Sequence, residues 1–179
     1  MSVTTPAVHH LEESSLYRHP MSDAKWAATL KKVSSNLEGM DSDRVRCHVN
    51  AILKSIEFVD GFMERYCSLT CAACEDPCCH GKKIFFNQAD IIFLVSSGLP
   101  APPGQTRSQS DGMCRYLSAN GCELSRKTRP YVCVWFLCET HMSHFLEEEI
   151  PVQKAMLKAF EQIRAHRLSL EAEYQTHPG

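Results

Sequence analysis

Two long stretches of the chain place apolar residues at helical intervals. Behind Ser22, the residues Trp26, Leu30, Val33 and Leu37 recur every three or four positions. The spacing predicts a helix capped by Ser22 and closed near Gly39. A second, longer helix is predicted to start at Asp41 or Ser42. Its apolar positions, Val45, Val49, Ile52, Ile56, Val59, Met63 and Tyr66, alternate steps of four and three. Such a stripe suits burial against another helix of the same domain; a coiled-coil dimer would use the same spacing. Pro151 fits the first turn of a last helix, whose apolar face is Val152, Met156, Phe160, Ile163 and Leu170.

Between these helices the pattern shortens. Ile84, Phe85 and Phe86 suggest one short strand. Asn87, with Asp90 three residues later, has the form of a capping box for a helix that carries Ile91, Ile92 and Val95 and ends at Gly98. Residues 99–112, LPAPPGQTRSQSDG, are expected to form a flexible loop. In CRYLSANGC, residues 114–122, Asn120-Gly121 signals a tight turn that would bring Cys114 and Cys122 together. Residues 1–20 show no periodicity and are expected to be a loose tail, with His9, His10 and His19 solvated. The fold class is therefore mainly α. A single helical domain spans 21–176, with little β structure and a cysteine-rich, metal-stapled loop region within 67–140.

Composition adds the chemistry. The chain has 179 residues and 10 cysteines, and six of those cysteines fall in the stretch CSLTCAACEDPCC at 67–79. A disulfide scaffold, a metal site or a reactive thiol centre could each use such a cluster. The N-terminus lacks the basic and apolar regions of a secretory signal, and the apolar run IIFLV at 91–95 is too short to cross a bilayer. The expected compartment is the cytoplasm, where thiols stay reduced. A chain of this length can bury a core without disulfide staples, and the adjacent pair Cys78-Cys79 is poorly placed to bond to itself. The formal net charge of -2 carries no basic signature for nucleic acid. Lys31-Lys32 and Lys82-Lys83 are expected to be solvated faces, as is the acidic run Glu147, Glu148 and Glu149.

A metal site is the reading that uses the most cysteines at once. Cys71-x2-Cys74 has knuckle spacing, Cys78 and Cys79 follow, and Cys114, Cys122, Cys133 and Cys138 complete a set of eight. Two groups of four thiolates would suit two tetrahedral zinc ions, and an iron–sulfur cluster would leave sulfurs to spare. Adjacent cysteines point in different directions, so Cys78 and Cys79 are expected to serve different metals or to bridge them. Cys67 ends the second helix, opens the cluster and is an additional candidate. Cys47 is isolated and is expected to be a packing thiol. His80 and His141 lie close to the cluster in sequence but are not needed if eight thiols suffice. Arg129 either balances thiolate charge or, with Pro130, only sets a turn.

The order CAACEDPCC, IFFNQADIIFL, DGMCRYL, NGC, Arg129-Pro130 and C-x4-C resembles the zinc- or iron-chelating cysteine-cluster family, the YkgJ-like proteins. The resemblance covers roughly residues 67–140. It implies metal ligation by Cys71, Cys74, Cys78, Cys79, Cys114, Cys122, Cys133 and Cys138. The gap between Cys74 and Cys78 is one residue longer than is usual in that family, which leaves Cys67 as a substitute member of the first group. A related cluster in the bacterial flagellin lysine methylase is associated with an iron–sulfur centre, so the resemblance keeps iron beside zinc. Cys67-x3-Cys71-x2-Cys74 also resembles the signature of radical S-adenosylmethionine enzymes, but the helix-dominated pattern lacks the repeated strands of that superfamily. Three functions follow: a metal-binding protein, an iron–sulfur enzyme for redox or protein-modifying chemistry, and a zinc-structured interaction module with an unidentified protein partner.

Overall fold

The computed structural model describes residues 19–75, 77–80, 84–109 and 112–176, apart from the side chains of Ala72 and His80. His9, His10, Lys82-Lys83 and most of the expected N-terminal tail lie outside those residues. The chain is mainly helical: α1 (Asp23–Leu37), α2 (Ser42–Thr70), α3 (Gln88–Ser97), α4 (Tyr131–Trp135), α5 (Glu139–Glu147) and α6 (Ile150–Thr176). Among the described residues the only sheet is a two-stranded hairpin, β1 (Leu117–Ser118) and β2 (Gly121–Cys122). No helix among them is long and apolar enough to cross a membrane.

The predicted caps form. The Ser22 hydroxyl accepts from the Lys25 N–H at 3.3 Å, and Asp41 accepts from the Asp43 and Arg44 N–H groups. The stripe of α2 is buried at Val49, Ile52, Ile56, Val59, Met63 and Tyr66, with α6 as its main partner. The α6 face meets it with Met156, Phe160, Ile163 and Leu170. Burying each such side chain contributes about 1.5–3 kcal/mol, so this pair of helices forms the backbone of the core. The helix that the stripe was expected to need lies in the same chain.

Three helices are fastened by one buried polar knot. Asn87 and Asp90 form the capping box at the start of α3, and Gly98 ends that helix in the left-handed region at φ 65°. Asp90 Oδ1 also accepts from the Tyr131 N–H at 2.9 Å and from Arg167 Nη2 at 2.6 Å. Arg167 reaches Asn87 Oδ1 at 3.0 Å, and its guanidinium lies 4.3 Å from the centre of the Tyr131 ring. The knot therefore ties the N-termini of α3 and α4 to α6.

Two expectations are corrected here. Residues 84–87 do not form a strand. The Gln105 side chain occupies the bonding positions a neighbouring strand would take: Oε1 accepts from the Phe86 N–H at 2.8 Å and Nε2 donates to the Phe86 carbonyl at 3.0 Å. The segment from 99 is also no loose loop, because Gln105, Thr106 and Arg107 are buried. Pro102 accepts from the Trp26 indole at 2.8 Å, so this strap closes over α1. Glu148 likewise leaves the expected solvated run, since it accepts from the Tyr66 hydroxyl at 2.9 Å and pairs with Arg65.

At the far end of the α2–α6 pair, His48 Nδ1 and His166 Nδ1 lie 2.9 Å apart, with Glu173 at 3.4 Å from His48 Nε2. Burial, followed by the neighbouring His48, lowers the pKa of His166 below its usual 6.5. A histidine depressed in the folded state takes up fewer protons than the unfolded chain, so its contribution is present above pH 6.5 and is lost as pH falls further. Stability, measured by urea denaturation, should drop on going from pH 7 to pH 5. His166→Gln should flatten that slope; an unchanged slope would remove the pair as its source.

Candidate metal centre

The long helix α2 delivers the first two ligands. Cys67 lies in its last turn and Cys71 caps it, donating its backbone N–H to the Cys67 carbonyl. A separation of four residues at a helix end stacks the two side chains on one face. The buried His141 of α5 completes the group. The ligating atoms of Cys67, Cys71 and His141 all lie within 4.8 Å of one another. His141 Nε2 is 3.6 Å from Cys71 Sγ and 2.8 Å from the Thr70 hydroxyl. Two sulfurs and an imidazole form a donor set that suits a transition-metal ion.

The electrostatics favour the ligating form at Cys67 and His141 and oppose it at Cys71. The hydrogen bond from the Cys71 thiol brings Cys67 down to about 6, and the nearby Arg126 guanidinium lowers it further against the opposing effect of burial. Cys71 is held well above the usual thiol range, because it carries the shared proton and is partly buried. Burial, then Arg126 and His144, lowers His141 and favours the neutral imidazole that metals require.

Arg126 is the residue that links this site to the core. It is 2% exposed. Its Nε bonds Asp60 at 2.9 Å, its Nη2 bonds Glu64 at 2.6 Å, and the same Nη2 lies 3.8 Å from Cys67 Sγ. Nη1 donates to the Cys133 carbonyl at 3.1 Å. Two carboxylates on α2 thus hold a cation between the two halves of the cysteine-rich region. Arg129 joins them, 3.0 Å from Glu64, and its charge acts on Cys79, Cys122 and Cys133.

The other expected ligands do not join that group of three. Cys78 lies between the two halves of the cluster: it feels Cys133, Cys138 and Cys67, and its charge acts on Cys71. The Cys79 hydrogen bond lowers Cys78 and raises Cys79. Cys133 feels the charges of Cys79, Cys122 and Cys114, Cys114 feels Cys122 and Cys79, and Cys122 feels Cys79, but no three of these sulfurs gather within 4.8 Å. Burial raises Cys114, Cys122 and Cys133 above the usual thiol value. The hairpin positions two of these residues: Cys122 pairs with Leu117 across the strands, and the Leu117 N–H donates to the Cys114 carbonyl at 3.1 Å. Cys138 is the N-cap of α5, one turn before His141.

Cys74 is exposed and does not join the group of three. Cys47 is an exposed thiol on α2 rather than a packing one. All ten cysteines are free thiols. The His80 side chain lies outside the described residues. His141 and Arg126 are the residues that sequence reasoning undervalued. Compared with protein-family models, with curated proteins and with solved structures, the chain finds no match in any of the three.

Proposed function

We propose that this chain is a metal-binding cysteine-cluster protein whose first site is Cys67, Cys71 and His141, with Cys78 as the fourth ligand. The observation that carries the reading is the approach of two sulfurs and one imidazole nitrogen to within 4.8 Å of one another. A mixed sulfur and nitrogen set favours zinc, since zinc accepts both donors in one tetrahedral site. Iron, including an iron–sulfur cluster, is the second choice; the number of sulfurs around the first three ligands supports it. The metal would clamp the end of α2 to α5 and hold the turns at 71–80. The resemblance to the YkgJ-like family belongs to the same proposal and is supported by the order of its eight cysteines.

The test is elemental analysis with an absorption spectrum, on protein purified without oxygen and without an affinity-tag metal. Zinc in a colourless sample is expected, and Cys71→Ser and His141→Ala should each lose the metal of this site. Cys47→Ser should keep it. Iron with acid-labile sulfide would move the assignment to an iron–sulfur protein. Full metal content in Cys71→Ser would overturn the site.

A second reading, a zinc-structured interaction module, is supported by Trp135 and Phe136, which are 43% and 40% exposed beside the cluster. Large exposed aromatics are common anchors of protein partners.

A further inference from the structure

The α2–α6 pair carries a groove of its own. The two helices run antiparallel, with His48 against His166 at one end and Tyr66 against Met156 at the other. α3 packs on both of them but contributes nothing to the groove, which is open and has a volume of about 400 Å³. Its floor is made of short side chains, Ala51 and Ser55 from α2 and Ala155 and Ala159 from α6. Each of these pairs is one helical turn apart, so the floor stays low along its length. Lys54 and Lys158, both exposed, line it from opposite helices, and among the described residues no acid does. Exposed Phe58 stands at one end. A low apolar floor between two helices admits the ridge of a third. The lysines select one with acidic flanks.

A helix of that description is present in the chain itself. α5 turns His141 and Phe145 inward, where both are buried. Its outer face carries Met142 and Leu146, one turn apart and 40% and 64% exposed. Glu139 and Glu147 are exposed around them, and Glu149 follows just beyond the helix. The stretch from Glu139 to Leu146 and the stretch from Ala51 to Phe58 have the same helical length, about 10 Å. α5 is seated at its own end of α2, where His141 lies against Tyr66, so its outer face cannot reach the groove of its own chain. Leu69, which lines a cleft with His144 and Glu147 of α5, is three helical turns from Phe58 and so on the same side of α2. Groove and α5 thus lie along one side of the molecule. Two copies can each lay α5 in the other's groove, which closes a pair and leaves no end open for a filament.

We propose that the α2–α6 groove is the docking site for α5 of a second copy of this chain, in a reciprocal homodimer. Met142 and Leu146 sit over the alanines, and Glu139, Glu147 and Glu149 face Lys54 and Lys158. The inference is independent of the metal-binding reading above.

The test is sedimentation of the reduced, full-length chain over a concentration series. Wild type should pass from monomer to dimer as concentration rises, and added salt should weaken the pair. Lys54→Glu with Lys158→Glu, and separately Glu147→Lys with Glu149→Lys, should each weaken it about a hundredfold. All four positions are exposed, so helix content and thermal midpoint should not change. Leu146→Asp should weaken the dimer too. Mixing the two charge-reversed chains should restore it, because one contact of the mixed pair is then wild type on both sides and the other is reversed on both sides. A wild type that stays monomeric to about 1 mM would overturn the proposal. So would a monomer whose groove takes a synthetic acidic amphipathic peptide, since the occupant would then be another protein. A dimer that neither charge reversal weakens, or that mixing does not restore, would place the contact elsewhere and overturn it equally.

Discussion

Asp90→Ala is expected to cost about 3–5 kcal/mol, the usual penalty for breaking a buried charged pair from one side. The carboxylate accepts from the Asn87 N–H, the Tyr131 N–H and Arg167 Nη2 at 2.9, 2.9 and 2.6 Å. Its loss opens the start of α3, frees the first N–H of α4 and leaves a guanidinium that is 4% exposed without its anion. Arg167 already lacks a hydrogen-bond partner at Nε and would keep only the neutral Asn87 Oδ1 as an acceptor. Chemical denaturation of Asp90→Ala, Arg167→Met and the double variant separates the causes. The double variant should lose less than the sum of the two, because it leaves no lone charge behind. A loss below about 1 kcal/mol in Asp90→Ala, the size of a single exposed pair, would mean that the knot fastens nothing.

Stripping a metal from the proposed site at Cys67, Cys71 and His141 should produce the other large effect. Structural zinc sites contribute on the order of 10 kcal/mol to folding in small domains. Here the α2–α6 core is independent of the metal, so the loss should be local. A chelator under reducing conditions should lower the thermal midpoint and speed amide exchange through Cys71–Ala73, Cys78–His80 and α5. The buried stretch of α2 from Val49 to Met63 should stay protected, since apolar packing alone holds it. An unchanged midpoint and unchanged exchange at α5 would show that no metal braces this end of the molecule.

The helices were legible because their signals are local. The α2 stripe repeats over two dozen residues, and the Asn87–Asp90 box and Gly98 mark both ends of α3 within a dozen. The strand at 84–86 failed for the opposite reason. Whether Phe86 meets a strand or an amide side chain is decided by Gln105, nineteen residues away. A cluster that could hold a metal was legible as a class, while the group of three that lies close enough to do so among the described residues, Cys67, Cys71 and His141, was not. Cys67 and Cys71 stand one helical turn apart, a signal present in the sequence but masked by the denser knuckle at 71–74. His141 is seventy residues from Cys71, and only the path of α5 brings them together. Arg126 gave no local sign, because a buried arginine looks like a surface one until its carboxylates are placed.

The Gln105 amide also changes what the connecting chain is free to do. A strand pairs along its length, and inserting one residue flips every later side chain to the other face. A side-chain amide grips Phe86 at a single rung. The strap is thus fastened by separate bonds at Pro102, Gln105 and Arg107 and not by a ladder, with exposed Ser108 and Gln109 just beyond them. Extra residues added there would lengthen a surface excursion and leave the pairing at Phe86 in place. Since lengthening an exposed loop costs little entropy, this is the part of the chain where natural variation or an engineered insert can change size without disturbing either the helices or the sulfurs.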